Sequence, residues 1–167
     1  MASLEWVFRE GRFGAAKAVL YGGLAVGVLD AIDAFVFFGF IRGARMLSIF
    51  QAVAGGLLGR EVAFQGGVPT FAFGLLIHFF IALAVALVYY LASRKLPELT
   101  RRPLLWGALY GVAVFVFMQK AVIPLSRLGP GKMALPGLLN GVIGHALMVG
   151  IPAALFARMG PPAAGSQ

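Results

Sequence analysis

Cysteine is absent from the sequence. Its absence excludes disulfide bonds, thiol redox chemistry and metal sites built on thiolates. Charged residues are also scarce, because Asp, Glu, Lys and Arg make up only 12% of the 167 residues, whereas soluble domains have about 25%. A large soluble core is therefore not expected. With 60% hydrophobic residues, the composition indicates a polytopic membrane protein.

The few charges that are present are mostly basic, giving a net charge of +8. In a soluble protein this balance would suggest nucleic-acid binding. Here the basic residues cluster in the short segments between long apolar runs, where they set the topology of a membrane protein. The sequence thus predicts the lipid bilayer as a partner and predicts no nucleic acid.

Four apolar runs are long enough to cross a bilayer, which takes about 20 residues in a helix. We predict an all-α fold with a transmembrane domain over 15–158, packed as a four-helix bundle. The apolar stretch 46–59 is too short to span, so we expect an interfacial or re-entrant helix there. Residues 1–14 are predicted as an interfacial segment and 159–167 as a disordered tail. The four spans are expected at about 16–40, 70–92, 104–123 and 136–157.

Four spans place both termini on one side of the membrane. Lys and Arg are more frequent on that side than on the other, and such an excess marks the cytoplasmic side. We therefore expect both termini in the cytoplasm. The basic residues on the side of the termini are Arg9, Arg12, Lys17, Arg94, Lys95, Arg101, Arg102 and Arg158. Those on the other side are Arg42, Arg45, Arg60, Arg127 and Lys132.

Ionisable side chains occur inside three of the spans: Asp30 and Asp33 in the first, His78 in the second and His145 in the fourth. Such residues are costly in hydrocarbon and usually face the interior of a bundle. Counted from the end opposite the termini, all four lie roughly 10–15 Å deep at ~1.5 Å per residue. The sequence predicts that they form one polar site, with Gln119, Lys120 and Asn140 at its rim.

Small residues recur three or four positions apart in each span, on the same face as the polar residues. Such faces let helix backbones approach closely. We predict that these faces pack inside the bundle and point the polar groups inward. The predicted packing glycines are Gly23, Gly27, Gly74, Gly107, Gly111, Gly137 and Gly141.

Four interpretations of the polar site remain open. Asp and His side chains can relay protons or bind an ion. Two imidazoles and a carboxylate, from His78, His145 and Asp33, could instead bind a divalent metal. The two histidines could be the axial ligands of haem b. Finally, the polar groups could only form interhelical hydrogen bonds that stabilise the fold. An enzyme is not favoured, because no nucleophile has a base at useful spacing.

From Leu75 onward, a little over half of the chain resembles the YagU-like family of bacterial inner-membrane proteins. The resemblance rests on IHFFIALAVALVYY with His78, on GALYGVAVFVFMQKAVIPLS, and on IGH with His145. The pair Asp30 and Asp33 is a departure from that family. The resemblance implies four helices in the bacterial inner membrane and implies no established activity.

The function predicted from these features is proton- or ion-linked transport or sensing by an integral inner-membrane protein. The alternative is an accessory subunit that packs in a homo-oligomer or a larger membrane complex. Binding of haem b or of a divalent metal is a further alternative.

Overall fold

The computed structural model describes residues 11–131 and 133–161. Over these residues the chain is helical and contains no strand, which confirms the predicted all-α class. Four helices are long and apolar enough to cross a membrane in this part of the chain. They are α1 (Ala15–Ile41), α4 (Gly67–Lys95), α6 (Pro103–Leu125) and α7 (Leu135–Met159).

The shorter helices lie in the connections between the long ones. They are α2 (Met46–Leu58), α3 (Arg60–Gln65) and α5 (Glu98–Arg101). Gly59, with φ +86°, separates α2 from α3, because this backbone conformation is strained for residues with a side chain. Pro103 begins α6, where its missing N–H costs no helical hydrogen bond.

The long helices extend the predicted spans by one to three residues at each end. At ~1.5 Å per residue, even the shortest, with 23 residues, exceeds the ~30 Å hydrocarbon thickness. At the end of α4, the extension adds Arg94 and Lys95, whose charged ends suit the headgroup region. The four predicted spans are thus confirmed as helices of membrane-crossing length.

Helix α7 is the centre of the bundle, since α1, α4 and α6 all pack against it. The core forms where α1, α4 and α7 meet, near the end of the bundle that carries the termini. Its small side chains allow the close helix approach that replaces hydrophobic driving force in a membrane. The core residues are Ala18, Val26, Ala82, Tyr89, Tyr90, Val149, Ala153, Ala154 and Ala157.

The segment before α1 is joined to the end of α7 by two backbone hydrogen bonds. Gly11 N donates to Gly160 O (3.0 Å), and Phe13 N donates to Met159 O (2.8 Å). The two ends of the described chain therefore lie at the same end of the bundle. The remainder of the predicted interfacial segment, 1–10, and most of the predicted tail, 162–167, lie outside the described residues.

Helix α2 packs beside α4 and not at its tip. Gly74 has no side chain, and the backbone of Phe50 on α2 occupies the space that one would need. Because Gly74 is seven residues from the start of α4, the contact lies ~10 Å along that helix. Gln51 Nε2 donates to Gly67 O (2.9 Å), and Arg127 N donates to Gly56 O (2.9 Å). These bonds hold α2 alongside the bundle.

Three of the long helices contain π-helical turns, at Phe35–Ile41, Met118–Val122 and His145–Gly150. Such wider turns are rare and frequent at functional sites. The turns at His145–Gly150 come directly before Pro152, whose ring would clash with a carbonyl in a regular helix. The irregular backbone thus begins at one of the predicted site residues, His145.

Candidate polar site between the membrane-spanning helices

His78 on α4 contacts two groups of α1. Its Nε2 lies 2.8 Å from Gly27 O, and its Nδ1 lies 3.9 Å from Asp30 Oδ2. The first distance is that of a hydrogen bond, and the second is too long for one but within the range of an ion pair. Side-chain exposure is 12% for His78 and 24% for Asp30. The first and second spans are therefore joined at these residues.

The Gly27 contact determines which nitrogen of His78 carries a proton. A carbonyl oxygen only accepts hydrogen bonds, so Nε2 must be the donor. In the neutral imidazole, Nδ1 then has a lone pair, and this lone pair faces the Asp30 carboxyl group. Because Gly27 has no side chain, α1 and α4 can approach closely at this point. A Cβ at Gly27 would lie 2.5 Å from the Phe79 ring.

Asp33, one turn further along α1, faces α7 instead of α4. Asn140 Nδ2 donates to Asp33 Oδ2 at 2.8 Å. The same carboxylate lies against Gly144, where a Cβ would be only 2.7 Å from Oδ2. The two aspartates thus connect α1 to different neighbouring helices.

His145 is the first residue of the π-helical turns in α7. Its ring packs edge-on against Phe115 of α6, with 5.2 Å between the ring centroids. Its backbone carbonyl lies against Gly111, also on α6. These contacts place the imidazole between α6 and the interior of the bundle, where it lines a cavity together with Asp30 and His78.

Two cavities meet at the pair Asp30 and His78. The inner cavity, about 160 Å³, is lined by Asp30, His78, His145 and apolar side chains. This volume is smaller than the ~300 Å³ of small ligand pockets, but the cavity has room for several water molecules. The outer cavity, about 360 Å³, lies between the end of α1 and α2, with Ser48 and Phe50 in its wall. The pair therefore lies between the outer cavity and His145.

The predicted rim residues have different environments. Asn140 donates a hydrogen bond to Asp33, so it contacts one of the four predicted site residues. Gln119 is half-buried and Lys120 is exposed, both in the π-helical turns of α6. Neither side chain makes a hydrogen bond or ion pair with residues 11–131 or 133–161.

Six of the seven predicted packing glycines lie against another helix. Gly23 and Gly27 of α1 contact α4, and Gly74 contacts α2. Gly107 and Gly111 of α6 contact the backbone of α7, and Gly141 of α7 contacts Phe115. Gly137 differs, because only the side chain of Met133, just before its own helix, lies within 4 Å of its Cβ position.

The geometry does not favour the metal or haem interpretations. Within 11–131 and 133–161, no three His, Cys, Asp or Glu side chains group as metal ligands would. Of the candidate ligands, Asp33 binds Asn140. Both ring nitrogens of His78 face protein groups, at Gly27 and Asp30. Neither nitrogen of His78 is therefore free to bind an iron atom, as an axial haem ligand must.

Sequence reasoning missed a groove on the side of the bundle. An apolar groove of about 460 Å³ lies between helices α4 and α6. One hydrogen bond crosses it, from Tyr110 Oη to Val85 O at 2.8 Å. The apolar character of both helices gives no signal of this gap, because lipid-facing and helix-facing side chains are equally hydrophobic. Four residues line both the groove and the inner cavity: Ile81, Val85, Val114 and Met118.

No protein-family model, curated protein or solved structure matches this chain. The resemblance to the YagU-like family therefore stays a prediction.

Proposed function

We propose that this integral membrane protein binds a proton between Asp30 and His78 and uses it for proton-linked transport or sensing. The observation that carries the proposal is the hydrogen bond from His78 Nε2 to Gly27 O. It leaves the Nδ1 lone pair facing a carboxyl oxygen 3.9 Å away. Two facing acceptors repel each other when neither is protonated, whereas one proton makes them a donor and an acceptor.

The surroundings of the pair support exchange of that proton. Water in the outer cavity would reach Asp30 and His78 from the side of α2. The inner cavity continues from the same pair to His145. An imidazole can both accept and donate a proton. Asp30, His78 and His145 thus form a short series along which a proton could move.

Towards the end that carries the termini, the bundle is closed by the core of Ala and Tyr side chains. The site is therefore open towards α2 and closed on the other side. This arrangement suits a sensor of pH on the α2 side, or a transporter in the state that faces that side.

The membrane and orientation belong to the same proposal. The basic residues Lys17, Arg94, Lys95 and Arg158 lie in helices at the end with the termini, and Arg101 and Arg102 lie in the adjoining connection. Such an excess favours a cytoplasmic location of that end in a bacterial inner membrane. Since the chain has no cysteine, a single Lys95→Cys variant would report the side by labelling with an impermeant maleimide.

Proton uptake tests the proposal directly. The purified protein is reconstituted in liposomes that contain a pH-sensitive dye, and proton flux is driven by an imposed pH difference. We expect wild-type flux above that of empty liposomes and loss of this flux in Asp30→Asn, which cannot bind the proton as a carboxylate does. Glu98→Gln is the matched control, because Glu98 is exposed and pairs with Arg101 outside the spans.

Equal flux in wild type and Asp30→Asn, with both variants helical by circular dichroism, would refute transport through this pair. A sensor would show no flux, and its proton binding would then be measured by infrared difference spectroscopy. A protonated-carboxyl band that disappears in Asp30→Asn is expected in either case. Its absence from the wild type at every pH would overturn the whole proposal.

The α4–α6 groove favours a second candidate, an accessory subunit of a homo-oligomer or larger membrane complex. The groove is apolar and opens on the lipid-facing side of the bundle, so a partner helix could occupy it. Against this candidate, glycines such as Gly107 and Gly111 already contact a helix of their own chain. Crosslinking in native membranes through a single cysteine at Phe117, in the groove, would reveal such a partner.

A further inference from the structure

Two arginine side chains at the end of the bundle with the termini contain buried nitrogen atoms without an acceptor. They are Nη1 of Arg94 and Nε of Arg158. Arg94 is in the last turn of α4, and Arg158 is in the last turn of α7. Buried donors in folded proteins nearly always have a partner, so an unpartnered one indicates a missing acceptor.

The rest of the Arg94 guanidinium group is held in a fixed position. Its Nε and Nη2 donate to Ser93 Oγ (3.3 and 3.0 Å), and Nη2 also donates to Ala157 O (3.1 Å). Its central carbon lies 4.7 Å from the centroid of the Tyr90 ring. The side chain therefore cannot turn Nη1 towards water without breaking these contacts. Because Ala157 directly precedes Arg158, both guanidinium groups belong to the same end of α7.

The described residues around the two arginines supply mostly positive charge. Lys95 and Arg102 are exposed at the same end. Among residues 11–131 and 133–161, Glu98 is the acid at this end, and its carboxylate already binds Arg101 Nη1 at 2.8 Å. The end carbonyls of helices favour nearby cations. The carbonyl oxygen of Ala157 accepts a hydrogen bond from Arg94 Nη2 and not from Arg94 Nη1.

We propose that Arg94 Nη1 and Arg158 Nε bind a phosphate group, which is supplied by an anionic lipid headgroup or by free phosphate. The planar guanidinium group of arginine matches phosphate oxygens with directed, charge-assisted hydrogen bonds. Arg94 is one residue before the end of α4, the depth at which lipid phosphates meet a spanning helix. The site is independent of Asp30 and His78, which lie in the other half of the bundle.

The test measures the unfolding midpoint of the purified full chain in a neutral detergent. It is titrated with phosphatidylglycerol, with phosphatidylcholine of the same acyl chains, or with inorganic phosphate. We expect phosphatidylglycerol to raise the wild-type midpoint, as a ligand of the folded state does. In Arg94→Gln and in Arg158→Gln, its apparent affinity should fall about tenfold, because one charge-assisted hydrogen bond is lost. Arg102→Gln, at an exposed arginine of the same end, is the matched control and should keep wild-type affinity.

The three additives distinguish the source of the phosphate. A response to phosphatidylglycerol alone assigns the site to a lipid headgroup, and a response to inorganic phosphate as well assigns it to free phosphate. Equal loss in Arg94→Gln and Arg102→Gln would refute a specific site and leave only a diffuse positive surface. An equal response to phosphatidylcholine would also refute the proposal. Should Arg94→Gln not fold, native mass spectrometry of the wild-type chain decides, since a missing bound phosphate-containing molecule overturns the site.

Discussion

Replacement of Gly74 by Ala tests whether α2 covers the outer cavity. A Cβ at position 74 would overlap the carbonyl oxygen of Phe50 and would lie 2.7 Å from its carbonyl carbon and 3.1 Å from Ala54 N. All three are backbone atoms, so no side-chain rotation relieves the clash. Helix α2 must therefore move away from α4. Overpacking of this kind typically costs about 1–3 kcal/mol.

The assay for this variant has two readouts. The free energy of unfolding is measured by SDS titration in mixed micelles, followed by circular dichroism, and we expect a loss of about 1–3 kcal/mol. The second readout is the reactivity of a Ser48→Cys residue in the outer cavity, in a chain without other cysteines. Its labelling by an impermeant maleimide should become faster when α2 moves.

Gly137→Ala is the matched control. Only the flexible Met133 side chain, 3.2 Å from the Cβ position, lies near, so stability should stay the same or rise by up to about 1 kcal/mol through helix propensity. The reasoning is refuted if the two alanine variants unfold alike and Ser48→Cys reacts at the same rate in both.

Three further outcomes are expected. Asn140→Ala removes the donor to Asp33 Oδ2 and should destabilise the chain by about 0.6 kcal/mol, the average for interhelical hydrogen bonds in membranes. Unfolding in SDS measures this loss, and no change would argue against the contact. Tyr110→Phe removes the hydrogen bond to Val85 O and should lower the free energy of unfolding by a similar ~0.6 kcal/mol. A cysteine at Phe117 should then be labelled faster. An unchanged labelling rate would contradict a role for this bond in holding α4 and α6 together. Chelation by EDTA should leave the unfolding midpoint unchanged, because the nitrogens of His78 face Gly27 and Asp30; a lower midpoint would restore the metal interpretation.

The positions of the long helices could be predicted because span length depends on local composition. Apolar runs of this length have few alternatives to a membrane-crossing helix, and the ends differ by no more than three residues. The sequence also indicates which polar residues share a depth and a helix face, and three of them, Asp30, His78 and His145, line one cavity. The depth of a residue and the helix face on which it lies both follow from the sequence of its own helix.

The partners of the polar groups could not be predicted in the same way. Counting residues from the end of its span predicts that Asn140 lies at the rim of the site, yet its side chain is hydrogen-bonded to that of Asp33. Helix tilt shifts residues of different helices relative to each other, and tilt is set by packing and not by composition. The acceptor of His78 is a backbone carbonyl, Gly27 O. Every residue has a carbonyl, so no residue type marks this one in the sequence.

The central claim is that Asp30 and His78 share one proton through His78 Nδ1. Nitrogen-15 NMR of the histidine-labelled protein in bilayers tests it, and the His145→Gln variant leaves a single imidazole, since the chain has only two histidines. The account predicts that Nε2 stays protonated throughout a pH titration while Nδ1 gains and loses its proton, and that Asp30→Asn alters this titration. A neutral imidazole with its proton on Nδ1 would mean that the Gly27 hydrogen bond does not form, and it would contradict the account.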